Sequence, residues 1–200
     1  MTYSDQGIIV RRADFREAER LVVLFSKDHG KLVLRAPGAK KPTSRKTYHL
    51  ETFNYVQFLA ARGKNFDIIT ETKTLNNFAA LRTNLRSLSL AFYACELVDR
   101  LTREEEENRM VFDLFLEFLM KLNAKTSLDL DGQIRNFETR LLDICGFWPH
   151  NGFKKFDQRD FTEWGRFNKS LIEWILEGSL KSEGFLNSVR PRLALQGEAF

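Results

Sequence analysis

The sequence predicts an α+β protein in which a small N-terminal β-barrel precedes an all-helical region. In residues 1–75 short β-rich runs alternate with turn sequences, whereas from residue 76 onward apolar residues recur at three- and four-residue steps. The 200 residues are 43% hydrophobic and 29% charged, which is ordinary for a globular chain and argues against long disorder. We therefore expect two domains, residues 1–75 and residues 76–200.

Five strands are predicted in the first domain, over residues 7–12, 21–26, 31–36, 52–60 and 66–73. Asp28-His29-Gly30 joins the second strand to the third at hairpin distance, and Arg62-Gly63-Lys64-Asn65 joins the fourth to the fifth. Residues 37–49 hold two prolines and little apolar content, so a long exposed loop is expected there. Because closure removes the edges of a small sheet, we expect a closed barrel, with the OB-fold as first candidate.

From residue 76 the pattern becomes helical. One apolar stripe predicts a long first helix and consists of Phe78, Leu81, Leu85, Leu88, Phe92, Cys95 and Val98. Further helices are predicted over residues 108–123, 131–144, 167–176 and 182–189. Glutamates at residues 104–107 precede the second helix, where acids favour the helix dipole, so we expect them to cap it. The stretch near residues 147–167 is rich in aromatic residues.

Targeting signals and membrane segments are not expected. Apolar runs are short, as at residues 21–25, whereas a membrane span needs about 20 residues. The N-terminus has no basic region followed by an apolar stretch, which an export signal would show. Cys95 and Cys145 stand far apart in apolar surroundings, as is typical of buried thiols in a reducing compartment. The sequence therefore predicts a cytoplasmic protein.

Catalytic and metal-binding motifs are not found. His29, His49 and His150 share no metal-ligand spacing with each other or with the cysteines. Residues 129–132 (DLDG) resemble part of a calcium loop but lack its third acid and its closing glutamate. The chain has neither a P-loop nor a Gly-x-Gly-x-x-Gly motif. We expect no cofactor, no metal and no enzymatic activity.

The positive charge is concentrated in one stretch. Residues 1–75 carry 14 Lys and Arg against 8 Asp and Glu, and Glu51 is the only acid between residues 31 and 64. Such a cluster attracts polyanions, or alternatively keeps a loop solvated. Aromatic rings in the same stretch suit unstacked bases, although most of them fit the barrel core as well. These rings are Tyr48, Phe53, Tyr55, Phe58 and Phe66.

Six short motifs occur in a fixed order along the chain. They are residues 8–21 (IIVRRADFREAERL), 24–31 (LFSKDHGK), 36–41 (APGAKK) with 44–45 (SR), 93–99 (YACELVD), 137–142 (FETRLL) with 146–149 (GFWP), and 180–182 (LKS) with 185–186 (FL). In this order and spacing they resemble the bacterial recombination mediator family RecO over nearly the whole chain.

Two departures from the family pattern matter. Many members carry two Cys-x-x-Cys pairs for structural zinc after the Gly-x-x-Pro motif, whereas residues 150–156 (HNGFKKF) contain no cysteine. The resemblance therefore implies a zinc-free variant, held here by the packing of Phe147, Trp148, Phe153, Phe156, Phe161, Trp164 and Phe167. Glu183 stands where the family usually has a basic residue.

The resemblance implies a recombination mediator in DNA repair, located in the bacterial cytoplasm near the nucleoid. Its expected partners are single-stranded DNA, whose complementary strands it anneals, RecR, and the acidic C-terminal tail of the single-stranded DNA-binding protein SSB. With RecR it would help to load RecA onto SSB-coated DNA, so RecA is an indirect partner.

Two sets of site residues are expected. The DNA-binding set is Lys31, Arg35, Lys40, Lys41, Arg45, Lys46, Arg62 and Lys64, and the SSB-tail set is Arg135, Arg140, Lys154, Lys155 and Arg166. Two other functions stay open. One is a protein-interaction adaptor whose OB-fold is a docking platform without annealing activity, and the other is a metal-dependent nuclease or phosphotransferase.

Overall fold

The computed structural model describes residues 1–41, 46–124, 129–149 and 161–195. Its first part contains five strands, each close to a predicted one but most of them longer. They are β1 (Thr2–Arg16), β2 (Glu19–Ser26), β3 (Gly30–Ala36), β4 (Tyr55–Ala61) and β5 (Asp67–Asn76). A single helical turn, α1 (Lys46–His49), lies between β3 and β4, so the loop predicted over residues 37–49 ends in a helix.

The five strands close into a barrel. β1 pairs antiparallel with both β2 and β4, β2 with β3, and β4 with β5, while a short parallel pairing of β3 with β5 completes the circuit. The resulting order β1-β2-β3-β5-β4 with a helix between β3 and β4 is that of the OB-fold. The predicted fold is therefore confirmed.

The barrel interior is filled by the alternate residues of each strand. Ile9 of β1 lies opposite Leu24 of β2, and Leu24 lies opposite Leu32 of β3, so one inward row crosses three strands. Two bulges, between Ile9 and Arg11 and between Asp14 and Arg16, bend the long β1. This bend lets β1 leave its pairing with β4 and continue along β2.

Seven helical segments are described, of which the six after the barrel are α2 (Ala79–Arg82), α3 (Leu85–Leu101), α4 (Arg109–Ala124), α5 (Leu130–Ile144), α6 (Phe161–Leu176) and α7 (Lys181–Leu195). The prediction of one long helix from residue 76 is wrong. Asn84 starts α3, because its side chain accepts a hydrogen bond from the amide of Ser87 and its carbonyl accepts one from Leu88. The buried face of α3 is correspondingly shifted, and Phe92 of the predicted stripe is 40% exposed.

The chain divides into two compact units. The barrel unit comprises Met1–Phe78 and Thr102–Leu116, and the helical unit comprises Ala79–Leu101 and Glu117–Phe200. The sequence predicts residues 102–116 in the helical domain, whereas in the structure they belong to the compact barrel unit. The amide of Glu105 donates to the carbonyl of Lys31, at 2.9 Å, at the start of β3.

The glutamates of residues 104–107 do not supply the cap of α4. Instead Asn108 caps this helix, with its side-chain oxygen 3.1 Å from the amide of Val111. The segment before the cap follows the turn between β2 and β3 closely. A Cβ at Gly30 would lie 1.9 Å from the carbonyl oxygen of Glu106.

In the helical unit, a buried polar cluster joins three helices. Glu138 of α5 is fully buried and accepts hydrogen bonds from Tyr93 of α3, from Arg135 of α5 and from Asn168 of α6. Glu96 of α3 accepts from the backbone amides of Lys181 and Ser182 and so caps α7. These carboxylates connect helices that are distant in sequence.

Candidate nucleic-acid interface

One row of residues crosses the outer surface of the barrel near the turn between β1 and β2. Ala13 lies opposite Leu21, Leu21 opposite Arg35, and Arg35 opposite Ile68. Because the neighbours Val22 and Leu34 belong to the barrel core and strand residues alternate between faces, this row points outward. None of its four members is fully buried.

The other end of the same outer face is covered. Ile8 lies opposite Phe25 and Tyr55, and both Ile8 and Phe25 are fully buried although their chain neighbours Ile9 and Leu24 fill the interior. The ring of Phe112, from the segment that joins the barrel unit, lies 6.1 Å from the ring of Tyr55. The outer face is thus closed near the β2–β3 turn and open near the β1–β2 turn.

The open end is flanked by two loops that each bring an aromatic ring. Phe15, next to the β1–β2 turn, meets Phe66, which ends the β4–β5 loop of residues 62–66, edge to face at 5.8 Å between ring centroids. The guanidinium of Arg16 lies over the Phe15 ring, 5.2 Å from its centroid. OB-folds that bind oligonucleotides use the β2–β3 face and these two loops.

Arg35 and Lys40 lie on one side of this open end. Each faces a carboxylate, Arg35 Nε at 3.6 Å from Glu19 and Lys40 Nζ at 3.1 Å from Asp14. The ammonium group of Lys40 is the main reason that the pKa of Asp14 lies below its usual value. Lys40 also donates its amide to the carbonyl of Ala18, at 3.4 Å, so residues 37–41 fold back toward the β1–β2 turn.

Arg62 and Lys64 lie on the β4–β5 loop. Arg62 pairs with Asp67 at 3.1 Å and also lies over the ring of Tyr3, 4.8 Å from its centroid. Asp67 in addition accepts the amide of Gly63 at 3.0 Å, which fixes the loop, while Lys64 is exposed. Burial and the nearby carboxylate of Asp67 raise the pKa of Tyr3 well above its usual value, so this phenol is neutral.

The remaining predicted DNA-binding residues have different surroundings. Lys41 is exposed next to Lys40, and the half-buried Lys46 donates to the carbonyl of Ile69 at 3.3 Å. Lys31 is only 9% exposed, and its amine donates to the carbonyl of Thr102 at 2.7 Å. Lys31 therefore ties residues 102–116 to the barrel and offers little charge to a ligand. Arg45 lies outside the described residues.

Sequence reasoning missed Arg11, Arg16 and Arg20, together with Phe15. Arg11 lies opposite Val23 on the outer face and is exposed, whereas Arg20 is half-buried with Nε 3.4 Å from Asp14. A strict period of two from Ile9 would have turned Arg11 inward. The bulge between these two residues reverses the alternation, and no sequence signal marks the bulge.

Comparison with known proteins agrees with this architecture. The family model described as recombination protein O N terminal matches residues 1–78, and the one described as recombination protein O C terminal matches residues 82–151. The chain belongs to the RecO family. The resemblance that the sequence motifs indicated is thereby confirmed.

Relatives that carry the name DNA repair protein RecO align with about three quarters of the chain. The chain is 41% identical over 147 residues to the relative from Roseiflexus sp. (strain RS-1), covering 74% of this chain and 51% of the relative. It is 36% identical over 151 residues to that of Desulforudis audaxviator (strain MP104C), covering 75% and 59%. For Bacillus subtilis (strain 168) the identity is 32% over 144 residues, covering 72% and 56%. The chain thus spans between half and three fifths of these RecO proteins.

The residues expected to bind the SSB tail are dispersed. The Arg135 side chain is 15% exposed and lies beside the buried Glu138, with Nη1 2.8 Å from Oε1, and so offers little exposed charge. Arg140 is half exposed and lies 3.5 Å from Glu117, and Arg166 is exposed on α6. Lys154 and Lys155 lie outside the described residues, as do Phe153 and Phe156 of the predicted aromatic cluster.

Neither a metal cluster nor a membrane helix occurs in this RecO-family chain as far as it is described. Among the described residues, no three His, Cys, Asp or Glu side chains are placed to hold a metal ion. In the same residues, no helix combines the length and hydropathy that crossing a membrane requires. His29, the histidine of the β2–β3 turn, lies 2.9 Å from Asp5, which also accepts from Ser26.

Proposed function

We propose that this chain binds single-stranded DNA across the open outer face of its barrel and acts in DNA repair and recombination. The observation that supports this most directly is that the exposed Phe15, the half-buried Phe66 and the guanidinium of Arg16 meet at the loops with which OB-folds bind oligonucleotides. The cations of this surface are Arg35, Lys40, Lys41, Arg62 and Lys64. RecO-family membership supports the same function.

In this function the cations contact phosphates, and binding is largely independent of base sequence. Arg35 and Lys40 already face carboxylates at 3.6 and 3.1 Å, so an incoming phosphate takes the place of Glu19 and Asp14. The Asp14 side chain is 64% exposed, so breaking its ion pair with Lys40 costs little net stability. Annealing needs no catalytic group, because cations that screen two strands from each other let base pairing proceed.

The test is the salt dependence of binding to a fluorescently labelled oligothymidylate. If the five cations neutralise about five phosphates, log K falls against log salt with a slope of about −3.5. Lys40→Glu with Lys41→Glu should weaken binding at least about tenfold and flatten the slope by about one to two. Asp14→Asn should have the opposite effect on affinity, because it removes the carboxylate that competes for Lys40.

Lys121→Glu with Lys181→Glu is the matched control, since it makes the same change of charge at exposed positions of the helical unit. It should leave both the affinity and the slope close to those of the original chain. A slope near zero, or equal losses in the two double variants, would reject DNA binding by this face. The first of these results would favour the protein-interaction adaptor.

The wider RecO role belongs to the same proposal. It comprises annealing of complementary strands, recognition of the acidic SSB tail and loading of RecA together with RecR. Family membership supports it, and the exposed cations Arg140 and Arg166 on helices α5 and α6 are the described residues that suit an acidic tail. Strand annealing with bare and with SSB-coated oligonucleotides tests the parts that concern DNA and SSB.

A further inference from the structure

Phe15 and Phe66 are two aromatic residues that lie outside the hydrophobic core of the barrel. Phe15 is 39% exposed and Phe66 is half-buried, and neither belongs to the cluster of side chains that fills the interior. Both rings are held next to loops, one beside the β1–β2 turn and one in the β4–β5 loop, yet they meet at 5.8 Å. Two large rings thus lie outside the barrel core, one beside Arg16 and the other in the loop that carries Arg62 and Lys64.

We propose that Phe15 and Phe66, with the guanidinium of Arg16, form a stacking site for an unstacked base of single-stranded DNA. This inference rests on the proposed function and assigns the base-binding part of the same surface. We call these three residues the stacking site.

The geometry suits a base rather than a phosphate. The two rings meet edge to face and do not stack on each other, and Phe15 is 39% exposed, so a third planar group can stack on this pair. The Arg16 guanidinium lies 5.2 Å from the Phe15 centroid and extends the surface on which a base can lie. A flat, apolar surface edged by a planar cation matches the π-face and polar rim of a nucleobase.

The stacking site is continuous with the phosphate-binding residues. Arg35 lies opposite Leu21, which lies opposite Ala13, two residues before Phe15 on the same strand. The β4–β5 loop that carries Phe66 also carries Arg62 and Lys64. A strand that follows these cations therefore passes its bases over the two rings.

The same geometry makes the site selective for unpaired strands. In a duplex both faces of each base are covered by neighbouring base pairs, so a ring reaches a base face only where the strand is single. Every base offers such a face, and the site should accept all four bases. Cations alone bind both forms of DNA, and thus the rings would supply the preference for single strands.

The experiment compares two oligonucleotides of equal length and charge, an oligothymidylate and the same backbone with abasic sites at the central positions. The original chain should bind the oligothymidylate about tenfold or more tighter, since stacking on one aromatic ring contributes about that factor per base. Phe15→Ala with Phe66→Ala should bind the two alike, with an unchanged salt slope. Phe15→Leu with Phe66→Leu keeps apolar side chains for folding and should also lose the preference.

Two controls separate stacking from damage to the barrel. Trp174→Ala removes a ring of the helical unit, 78% exposed on α6, and should keep the preference. Phe15→Tyr with Phe66→Tyr keeps an aromatic ring at both positions and should keep the full preference for the oligothymidylate. Urea unfolding of each variant checks that the fold is kept.

The results separate the two proposals. Salt-dependent binding with equal affinity of the original chain for both oligonucleotides overturns the stacking site and leaves DNA binding in place. A preference that survives in the Leu double variant also overturns it. Absence of salt-dependent binding to either oligonucleotide overturns the proposed function itself.

Discussion

Asp5 is a buried carboxylate at one end of the barrel, and its charge is held by donors from the β2–β3 turn. Its oxygens accept from Ser26 at 2.6 Å and from the amide of Asp28 at 3.1 Å, and the His29 ring lies 2.9 Å away. Burial alone would raise the pKa of Asp5. The hydrogen bonds from His29, Ser26 and the amides of Asp28 and Gln6 outweigh it and hold the pKa below its usual value.

A carboxyl group with a lowered pKa stabilises the fold only while it is ionised. Its contribution is therefore complete above the unfolded-state pKa of about 3.9 and is lost as the pH falls through the lower folded-state value. We predict that Asp5→Asn lowers the free energy of unfolding at pH 7 by about 1.5–3 kcal/mol, because charged hydrogen bonds are lost. Urea unfolding at pH 7 and at pH values below 5 measures both effects.

The variant should also lose part of the acid sensitivity of the original chain. Asp14→Asn is the matched control, because Asp14 is an exposed residue of the same strand, and its removal should change stability little. Equal stability of Asp5→Asn and the original chain at pH 7 would contradict the prediction. So would an unchanged loss of stability in acid.

At the scale of single residues, the sequence shows which side chains are charged but not which of them are exposed to a ligand. Lys31 and Lys40 looked equivalent within one basic stretch. The structure buries Lys31 against Thr102, about 70 positions further along the chain, and leaves Lys40 at the surface. Arg135 is likewise expected to bind the SSB tail, but it lies beside the buried Glu138. Contacts between distant segments decide such cases.

At the scale of elements, the turn between β2 and β3 depends on a glycine for two reasons. Gly30 has φ +67°, and a Cβ there would lie 1.9 Å from the backbone oxygen of Glu106. Gly38, in the loop after β3, has a similar φ of +72° but has nothing within 4 Å of the Cβ position. Alanine substitutions at Gly30 and Gly38 therefore distinguish the cost of backbone strain, present at both positions, from the cost of steric overlap, present only at Gly30.

We predict that Gly38→Ala costs about 1–2 kcal/mol, which is the usual penalty of a left-handed conformation for alanine. Gly30→Ala should cost clearly more, because the backbone of residues 102–107 must move as well. Urea unfolding of the two variants under the same conditions measures the difference. Equal losses would show that the approach of Glu106 to the turn is not maintained in solution.

The strands and most helices were predictable because their signals are local. Alternating apolar residues and short turn sequences marked all five strands, and three- and four-residue periods marked α4 and α5. The helices predicted over residues 167–176 and 182–189 are parts of the longer α6 and α7. The sequence did not predict which residues of β1 and α3 face the core. The bulge after Ile9 and the new helix start at Asn84 each shift a pattern by a residue or two, and both depend on hydrogen bonds that no periodicity reveals.

At the scale of the whole molecule, the distribution of charge agrees with our proposal that the barrel unit, and not the helical unit, binds DNA. The excess of Lys and Arg lies in residues 1–75, which contain the five cations that we propose for DNA binding. The order of barrel before helices was predictable, but the assignment of residues 102–116 to the barrel unit was not. That assignment matters for function, because these residues belong with the covered end of the outer face.

The last prediction concerns annealing by the whole chain. Two complementary oligonucleotides should anneal faster in its presence without nucleotide, because cations on the barrel reduce the repulsion between their phosphates. The acceleration should fall with rising salt and should be lost in Lys40→Glu with Lys41→Glu, but not in the control Lys121→Glu with Lys181→Glu. A fluorescence-quenching assay of duplex formation measures these rates.

The same assay with strands coated by bacterial SSB tests recognition of the partner. The chain should still accelerate annealing of coated strands, but not when the SSB lacks its acidic tail, because the tail then no longer brings the chain to the DNA. Arg140→Glu with Arg166→Glu should slow annealing of coated strands and leave that of bare strands unchanged. If this variant behaves like the original chain on both substrates, these two cations do not bind the tail. If bare strands are bound but never annealed faster, the chain binds DNA without annealing it, and the mediator role fails at its first step.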